Sequence, residues 1–293
     1  MGSVRRAARP AVPPVALVLV AIGSVQVGSS FAKDLFSAAP PLAVAWLRLA
    51  TAALILSLIA RPRLRGRPPA QWGVVLGYGL VMAVMNLAFY LAIQRIPIGM
   101  AVTIEFLGPL GVAVVGSRRP RDFLWVALAA AGVGLLGFTP GELDWVGVGF
   151  ALAAGASWAA YIVLAGPTGR AWTGVTGVTV ATWVGTLVLA GPALGLGLLG
   201  AAGPAGSWLA DPRVWLLGAT VGLLSSVIPY GLEMVALRTV DRGVFGILMS
   251  LEPAAAALFA FLLLGEALRP LELVAMACVI AASLGATTRG GEV

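Results

Sequence analysis

Two carboxylates stand inside stretches of sequence that are otherwise apolar enough for a lipid bilayer. Glu105 lies in the fourth such stretch and Glu233 in the eighth, where Tyr230 shares its helical face. An ionisable group near the bilayer centre costs several kcal/mol, so it usually faces a cavity, a partner or an ion path. Because a low dielectric disfavours the charged form, such a carboxylate can exchange protons as well as bind a cation. Both residues predict a binding or proton-coupling site, the alternatives being a structural ion pair or a helix-end position.

Polar and aromatic side chains lie one helical turn apart on two other segments. Asn86 and Tyr90 form one pair on the third segment, and Trp158 and Tyr161 form the other on the sixth. Rings with polar tips can line a pocket for a small zwitterion, but they are also common at the membrane interface. Lys33, at the outer end of a polar stripe on the first segment, could attract a substrate carboxylate or extend to the surface. The second interpretation is favoured.

Arg48 and four residues near helix bends predict structural or gating roles. An arginine within a span needs a carboxylate or several backbone carbonyls as partners. A buried pair with one of the glutamates would meet that need, and a structural role is favoured over substrate binding. Proline cannot donate a backbone hydrogen bond, so Pro109 and Pro253 predict matched bends, against the alternative of ordinary helix irregularity. Glu252 directly precedes Pro253, and Glu266 lies near the outer boundary of the ninth segment.

Composition places these residues in a polytopic membrane protein. The 293 residues are 60% hydrophobic and 11% charged, with a mean hydropathy of +0.99, whereas roughly a quarter of residues are charged in soluble domains. The net charge of +7 comes from short basic clusters between apolar runs, which argues against a nucleic-acid partner. With one cysteine and no histidine, the chain predicts no metal and no cofactor, and any proton transfer would have to use carboxylates.

Ten apolar segments must position the polar residues. They span approximately 12–32, 42–60, 72–92, 99–116, 123–138, 146–165, 175–199, 214–235, 245–265 and 271–286. Most approach the roughly 20 residues that a spanning helix needs, and their connections are too short for a soluble catalytic domain. The basic N-terminal start resembles a signal peptide, but without a convincing cleavage site we expect the run to remain as the first helix.

Lysine and arginine are unequally divided between the two sides of the membrane. The termini and the even-numbered connections carry most of them, whereas the odd-numbered connections carry only Lys33, Arg95, Arg213 and Arg269. Basic residues accumulate on the cytoplasmic side, so both termini are predicted to be cytoplasmic.

An internal repeat relates the two halves of the chain. Shifting the sequence by 144 positions aligns Leu80 with Leu224, Ala92 with Ala236, Gly99 with Gly243 and Pro109 with Pro253. The repeat predicts two units, residues 1–140 and 141–293, with five helices each. Since five is odd, the second unit enters the membrane from the opposite side, which is the inverted repeat of transporters with a central, alternately exposed site.

Several stretches also resemble a known family. The strings TIEFLGPL and SRRP within residues 85–120 are the most specific, and the resemblance continues through GASWAAYIV (155–163), IPYGLEMVAL (228–237) and FGILMSLEPAAAALFAFLLLGEAL (245–268). These stretches are similar to the EamA group of the drug/metabolite transporter superfamily, and most of all to its bacterial inner-membrane exporters of threonine and homoserine.

The resemblance implies an all-α membrane protein of ten helices in two inverted five-helix repeats, with a central cavity. It implies antiport of small amino acids against protons. The family's motif positions fall on Asn86, Tyr90, Glu105, Trp158, Tyr161, Tyr230, Glu233 and Glu252. Gly231 and Ile247 stand where the resemblance leads us to expect small hydroxyl residues, which bears on any preference for hydroxy-amino acids.

The mechanism expected from these residues begins with a zwitterionic amino acid whose ammonium group is attracted to Glu105 or Glu233. Hydroxyl and amide donors, or helix N-termini at the bends, would meet its carboxylate, and protonation of a glutamate would favour release. The predicted partners are an amino acid, protons and the bilayer, with no oligomeric state assigned. Efflux of another small metabolite or drug is the alternative. The sequence offers no cluster of His, Cys or Asp residues within or beside the spans that a membrane enzyme could use as ligands. A non-transporting scaffold would leave the carboxylates without a function.

Overall fold

The computed structural model describes residues 13–62, 64–116, 123–135, 143–172, 175–198, 208–236 and 242–288, and within these ranges it contains helices and no strand. The α-helices, in chain order, are α1 (Pro14–Leu35), α2 (Pro41–Ala60), α3 (Pro69–Ile93), α4 (Ile98–Glu105), α5 (Leu107–Gly116), α6 (Phe123–Leu135), α7 (Trp145–Ala171), α8 (Thr176–Leu198), α9 (Pro212–Gly222), α10 (Ile228–Ala236), α11 (Arg242–Met249), α12 (Glu252–Leu264) and α13 (Pro270–Thr288). A 3-10 turn (Trp208–Ala210) precedes α9, and a π-helical turn (Leu223–Val227) joins α9 to α10.

Eight helical stretches of the described chain are long and apolar enough to cross a membrane, so this is a multi-pass membrane protein. They are Val15–Leu35, Pro41–Ala60, Pro69–Ile93, Ile98–Val115, Trp145–Ala171, Thr176–Leu198, Pro212–Glu233 and Val244–Leu264. The two other predicted segments correspond to the shorter apolar helices Phe123–Leu135 and Pro270–Ala286. Many basic residues behind the predicted topology lie outside the described residues, namely Arg5, Arg6, Arg9, Arg63, Arg118, Arg119, Arg121, Arg238 and Arg289.

Local sequence accounts for where many helices begin and end. Pro14 and Pro41 open α1 and α2, where the first N–H groups of a helix have no intrahelical acceptor and proline sacrifices no bond. Asp144 caps α7 by accepting a hydrogen bond from the Gly147 N–H at 2.9 Å. At the other end of a helix, Gly265 adopts a φ of 71° and terminates α12.

Three of the predicted segments are interrupted near a proline. Pro109 has no N–H for the Glu105 carbonyl, and the helix breaks at Phe106, three residues earlier, between α4 and α5. Pro253 lies in the first turn of α12, directly after the break that follows α11. Pro229 likewise has no N–H for the Ser225 carbonyl, which lies in the π-helical turn. Interruptions thus occur where bends were predicted at Pro109 and Pro253, whereas the one before Pro229 was not predicted.

The interrupted helices pack around the middle of the molecule. α3 contacts α7 and α8, α2 contacts α8 and α9, and α1 contacts α10 and α12. α4 lies between α7 and α12, while α6 packs mainly on α13. A separate apolar cluster of Phe106, Leu110, Val114, Ala129, Val279 and Ala282 joins α5, α6 and α13. The breaks in α4–α5, α9–α10 and α11–α12 therefore fall among mutually packed helices, where polar backbone groups can meet side chains instead of lipid.

Candidate functional site

Arg48 connects α2 to the π-helical turn. Its side chain is almost fully buried, with the residue 8% exposed. Nε donates to the Ser226 hydroxyl at 3.0 Å, and Nη2 donates to the Ser225 carbonyl at 2.8 Å. Among the described residues no carboxylate lies within salt-bridge distance of Arg48. The buried pair with a glutamate is therefore absent from this structure, because the carbonyl left without a donor by Pro229 accepts from the guanidinium instead.

Two glycines bring the helices close enough for these contacts. A Cβ atom on Gly222 would lie 2.6 Å from the Thr51 Cβ and 2.9 Å from the Arg48 carbonyl, so α9 and α2 can approach only without a side chain there. On α1, a Cβ atom on Gly28 would lie 3.2 Å from the Ser225 backbone nitrogen. The π-helical turn is thus held between α1 and α2 by close backbone packing.

Three of the chain's four tyrosines form an aromatic group next to Arg48. The rings of Tyr78 and Tyr161 stack with their centres 4.6 Å apart and an interplanar angle of 22°. Tyr230 interacts with Tyr161 through their hydroxyl groups and electrostatically with Arg48. Tyr78 was not among the predicted site residues, although it precedes Asn86 by two helical turns and so lies on the same face of α3.

The fourth tyrosine, Tyr90, lies directly at the guanidinium. Its ring centre is 5.7 Å from the Arg48 Cζ, a cation–π distance. Its hydroxyl is buried beside Arg48 and Ser225, yet it forms no hydrogen bond of good geometry within the described chain. One turn earlier, the Asn86 side chain is also buried, and its Nδ2 donates to the Met82 carbonyl at 2.7 Å. The Tyr90 hydroxyl can therefore still hydrogen-bond a ligand, whereas the Asn86 amide already donates one hydrogen bond.

Three carboxylates from three segments surround this region. Glu105, the last residue of α4, and Glu252, the first of α12, are each 9% exposed and interact electrostatically with Arg48. Glu252 also interacts with Glu105 and Glu233. The Glu252 Oε2 atom is buried without a hydrogen-bond partner in the described residues. The helix N-terminus beneath Glu252 favours its negative charge.

The polar stripe of α1, formed by Gln26, Ser29, Ser30 and Lys33, adds further buried polar atoms without hydrogen bonds. Both side-chain polar atoms of Gln26 and the hydroxyl of Ser29 are buried, and none has a hydrogen-bond partner in the described part of the chain. The Ser30 hydroxyl, by contrast, donates to the Gln26 backbone carbonyl at 2.9 Å. Most buried polar atoms in proteins are hydrogen-bonded, so a concentration of unpartnered ones indicates a place for water or a ligand.

Trp158 does not join this group, although it lies one turn from Tyr161. Its ring meets the Phe106 ring edge-on, with centres 5.5 Å apart, and packs against the apolar cluster of α5, α6 and α13. The pair predicted on the sixth segment is therefore divided between two environments, because a helix turns its successive residues towards different neighbours.

Lys33 forms an ion pair with Glu266, which corrects the expectation that it extends to the surface. Its Nζ also donates to the Ile96 carbonyl at 3.0 Å, and the Ile98 N–H donates to the Glu266 Oε2 atom at 2.9 Å. Glu266 directly follows the left-handed residue that ends α12, where the chain turns back towards α1 and α4. These contacts, here called the Lys33–Glu266 latch, join the end of α1, the start of α4 and the α12–α13 connection.

A cavity of about 600 Å³ between α4–α5 and α7 is separate from the polar group. It is lined only by apolar or small residues, namely Ile104, Leu107, Gly108, Gly111, Val112, Val115, Leu152, Gly155, Ala156, Ala159 and Val163. Such a lining offers nothing to the charged ends of a zwitterion, so the polar group around Arg48 is the candidate site.

Comparison with known proteins relates the chain to transporters. Residues 13–139 and 145–288 each match the model of the EamA-like transporter family. The chain is 40% identical over 289 residues to the threonine/homoserine exporter RhtA of Escherichia coli strain K12, covering 98% of this chain and 94% of that protein. Its identity to RhtA of Salmonella typhimurium strain LT2 is also 40%, over 277 residues.

Two further similarities are more limited. The chloramphenicol-sensitive protein RarD of Pseudomonas aeruginosa is 42% identical over 74 residues, which is 22% of this chain and 24% of that protein. A crystal structure of a protein that is 19% identical superposes with a TM-score of 0.59, covering 92% of this chain and 95% of the other. At that identity the superposition establishes a shared fold alone.

Proposed function

Because the chain belongs to the EamA-like transporter family and is a membrane transporter, not an enzyme, we propose that it exports small amino acids such as threonine and homoserine. The observation that carries the proposal is the buried group in which one guanidinium and three carboxylates face each other across interrupted helices. A zwitterionic amino acid presents the complementary pair of charges. The substrates named for its exporter relatives support the same choice.

For the architecture, we propose ten spanning helices in two inverted repeats, residues 1–140 and 141–293, with both termini cytoplasmic in the bacterial inner membrane. The two separate family matches support this division. The packing supports it too, because contacts occur in corresponding pairs: α3 packs on α7 as α1 packs on α10, and α3 packs on α8 as α2 packs on α9. In the proposed repeat α3 corresponds to α9–α10, α7 to α1 and α8 to α2, so exchanging the two repeats turns the first contact of each pair into the second.

In the proposed cycle, the substrate enters the site from the cytoplasm and its ammonium group binds Glu105 or Glu233. Rocking of one repeat against the other then exposes the site to the outside. Protonation of a glutamate removes the negative partner of the ammonium group and favours release, so proton influx drives export. The helix breaks at Pro109 and Pro253 provide bending points next to Glu105 and Glu252.

Gly231 and Ile247 bear on which amino acid is preferred. A Cβ atom on Gly231 would meet nothing within 4 Å, so the position has room for a hydroxyl-bearing side chain that this protein does not supply. Ile247 is half-buried on α11, and its side chain has no hydrogen-bonding group. If side-chain hydroxyls at these two positions bind the substrate, this protein lacks two polar contacts for a substrate side chain, and alanine is a necessary comparator for threonine.

The decisive experiment is uptake of labelled threonine, homoserine, alanine and leucine into proteoliposomes under an imposed pH gradient. We expect gradient-dependent accumulation that Glu105→Gln abolishes. Glu272→Gln is the matched control, because Glu272 is also buried but caps α13 by accepting from the Arg269 N–H at 2.7 Å, away from the site. Retention of pH-dependent transport by both Glu105→Gln and Glu233→Gln would contradict the mechanism.

Failure to accumulate any amino acid would instead favour the alternative of another small metabolite or drug. The short similarity to the chloramphenicol-sensitive protein is the observation that favours this alternative. Chloramphenicol and a panel of cationic dyes therefore belong in the same assay as competitors.

A further inference from the structure

We propose that Arg48 and the π-helical turn form the receptor for the substrate's α-carboxylate, an inference that rests on the proposed export of amino acids. The sequence alone favoured a structural role for Arg48. Its position in the structure changes that assignment, because the guanidinium is held by neutral groups and lies beside the Tyr90 ring.

The hydrogen bonds of Arg48 leave part of its guanidinium without an acceptor. Nε and Nη2 are engaged by Ser226 and Ser225, while Nη1 donates no hydrogen bond within the described chain. The two bonds orient the planar group, and the fork of Nη1 and Nη2 matches the two oxygens of a carboxylate. Anchoring a guanidinium by one edge while its other edge stays open is the arrangement of a carboxylate receptor.

The charge of Arg48 also requires an anion. Removing a guanidinium from water costs several kcal/mol, and the carbonyl and hydroxyl that it contacts carry only partial charges. The nearest carboxylates interact with Arg48 electrostatically but lie beyond salt-bridge distance. An α-carboxylate bound at the open edge would supply the missing full negative charge.

Two buried hydroxyl groups lie near the guanidinium. The Tyr90 hydroxyl lies beside Arg48 and the Ser225 hydroxyl lies beside that of Tyr90, and neither makes a hydrogen bond of good geometry in the described residues. Each can donate to a carboxylate oxygen once it is bound. The receptor thus explains three otherwise unexplained features at one place: a guanidinium without a salt bridge and two unsatisfied hydroxyls.

The receptor sets a chemical specificity that the glutamates alone would not. Carboxylates attract any small amine, whereas a site with Arg48 at one pole and the glutamates at the other selects molecules that carry both a carboxylate and an ammonium group. Amino alcohols and amino acid esters keep the ammonium group but lose the negative charge. We therefore expect this site to discriminate strongly against them.

The test compares binding of threonine and threoninol, in which an alcohol replaces the carboxylate, to the purified protein by calorimetry. The wild type should bind threonine at least about tenfold more tightly, as expected for charge-assisted hydrogen bonds. Arg48→Gln and Arg48→Lys should remove most of that preference by weakening threonine binding while leaving threoninol binding nearly unchanged. Arg170→Gln, at an exposed position near the end of α7, is the matched control.

The outcomes separate this inference from the proposed function. A wild type that binds neither threonine nor another amino acid would overturn the proposed function. A wild type that prefers threonine over threoninol, together with an Arg48→Gln protein that keeps the preference, would overturn only the carboxylate receptor. Should both Arg48 variants fail to fold, Tyr90→Phe decides: loss of its hydroxyl should reduce the preference about threefold, and an unchanged ratio would refute the receptor.

Discussion

In the proposed topology the Lys33–Glu266 latch lies at the outer end of the transporter, and breaking it should open that end. Lys33 and Glu266 are 21% and 18% exposed, so solvent weakens but does not abolish their ion pair. Glu266→Gln removes the charge but keeps an acceptor for the Ile98 N–H, and we expect a loss of about 1 kcal/mol. Glu266→Ala also leaves that N–H without its partner, for a total of about 2 kcal/mol. If the latch contacts exist only with the outer end closed, these losses raise the open population about fivefold and about thirtyfold.

Thiol labelling in sealed right-side-out vesicles measures that population. Cys278 is the chain's single cysteine, so Cys278→Ala supplies a cysteine-free background. Ser29→Cys then places a reporter on the polar face of α1, where the native hydroxyl is buried. The rate of modification by a membrane-impermeant maleimide should rise in the order wild type, Glu266→Gln and Glu266→Ala.

Control variants decide whether the latch is responsible. Asp34→Asn changes one charge at the same end of α1, but Asp34 is exposed and should leave the labelling rate unchanged. Lys33→Met combined with Glu266→Gln should accelerate labelling by less than the product of the single effects, because both remove the same ion pair. Equal rates in wild type and Glu266→Ala, or fully multiplicative single effects, would refute the reasoning.

Two further perturbations test the fold. Gly108→Ala should destabilise the protein by about 2 kcal/mol, since its Cβ would overlap the Gly155 carbonyl oxygen, whereas Gly111→Ala, with nothing within 4 Å, should change the thermal unfolding temperature little. The pKa of Asp144 is lowered by the backbone N–H that it caps and by Arg95, so its stabilisation is present above about pH 4 and is lost as the pH falls through the folded-state pKa. The difference in unfolding temperature between wild type and Asp144→Asn should therefore shrink on acidification below about pH 4, and a pH-independent difference would contradict this.

Local sequence predicted the helical segments well because hydropathy and proline act over short distances. The described helices coincide with the ten predicted segments, and the interruptions before Pro109 and Pro253 lie where proline removes a backbone donor. The same logic applied to Pro229 would have predicted the freed Ser225 carbonyl. No interruption was predicted there, since nothing in segment eight alone indicated a partner for that carbonyl.

Contacts between helices required the tertiary structure. The polarity of Arg48 and the glutamates indicated from sequence that each needs a partner, whereas Lys33 was expected to extend to the surface. The apolar runs determined that the protein lies in a membrane. Which partner each one meets was decided only by packing. Arg48 reaches Ser226 across 178 positions because glycines allow α2 and α9 to approach, and Lys33 meets Glu266 because the α12–α13 connection folds back over α1. Hydropathy depends on each residue and its neighbours in sequence. Which polar side chains meet depends instead on how the helices cross, and that is decided by the packing of the whole chain.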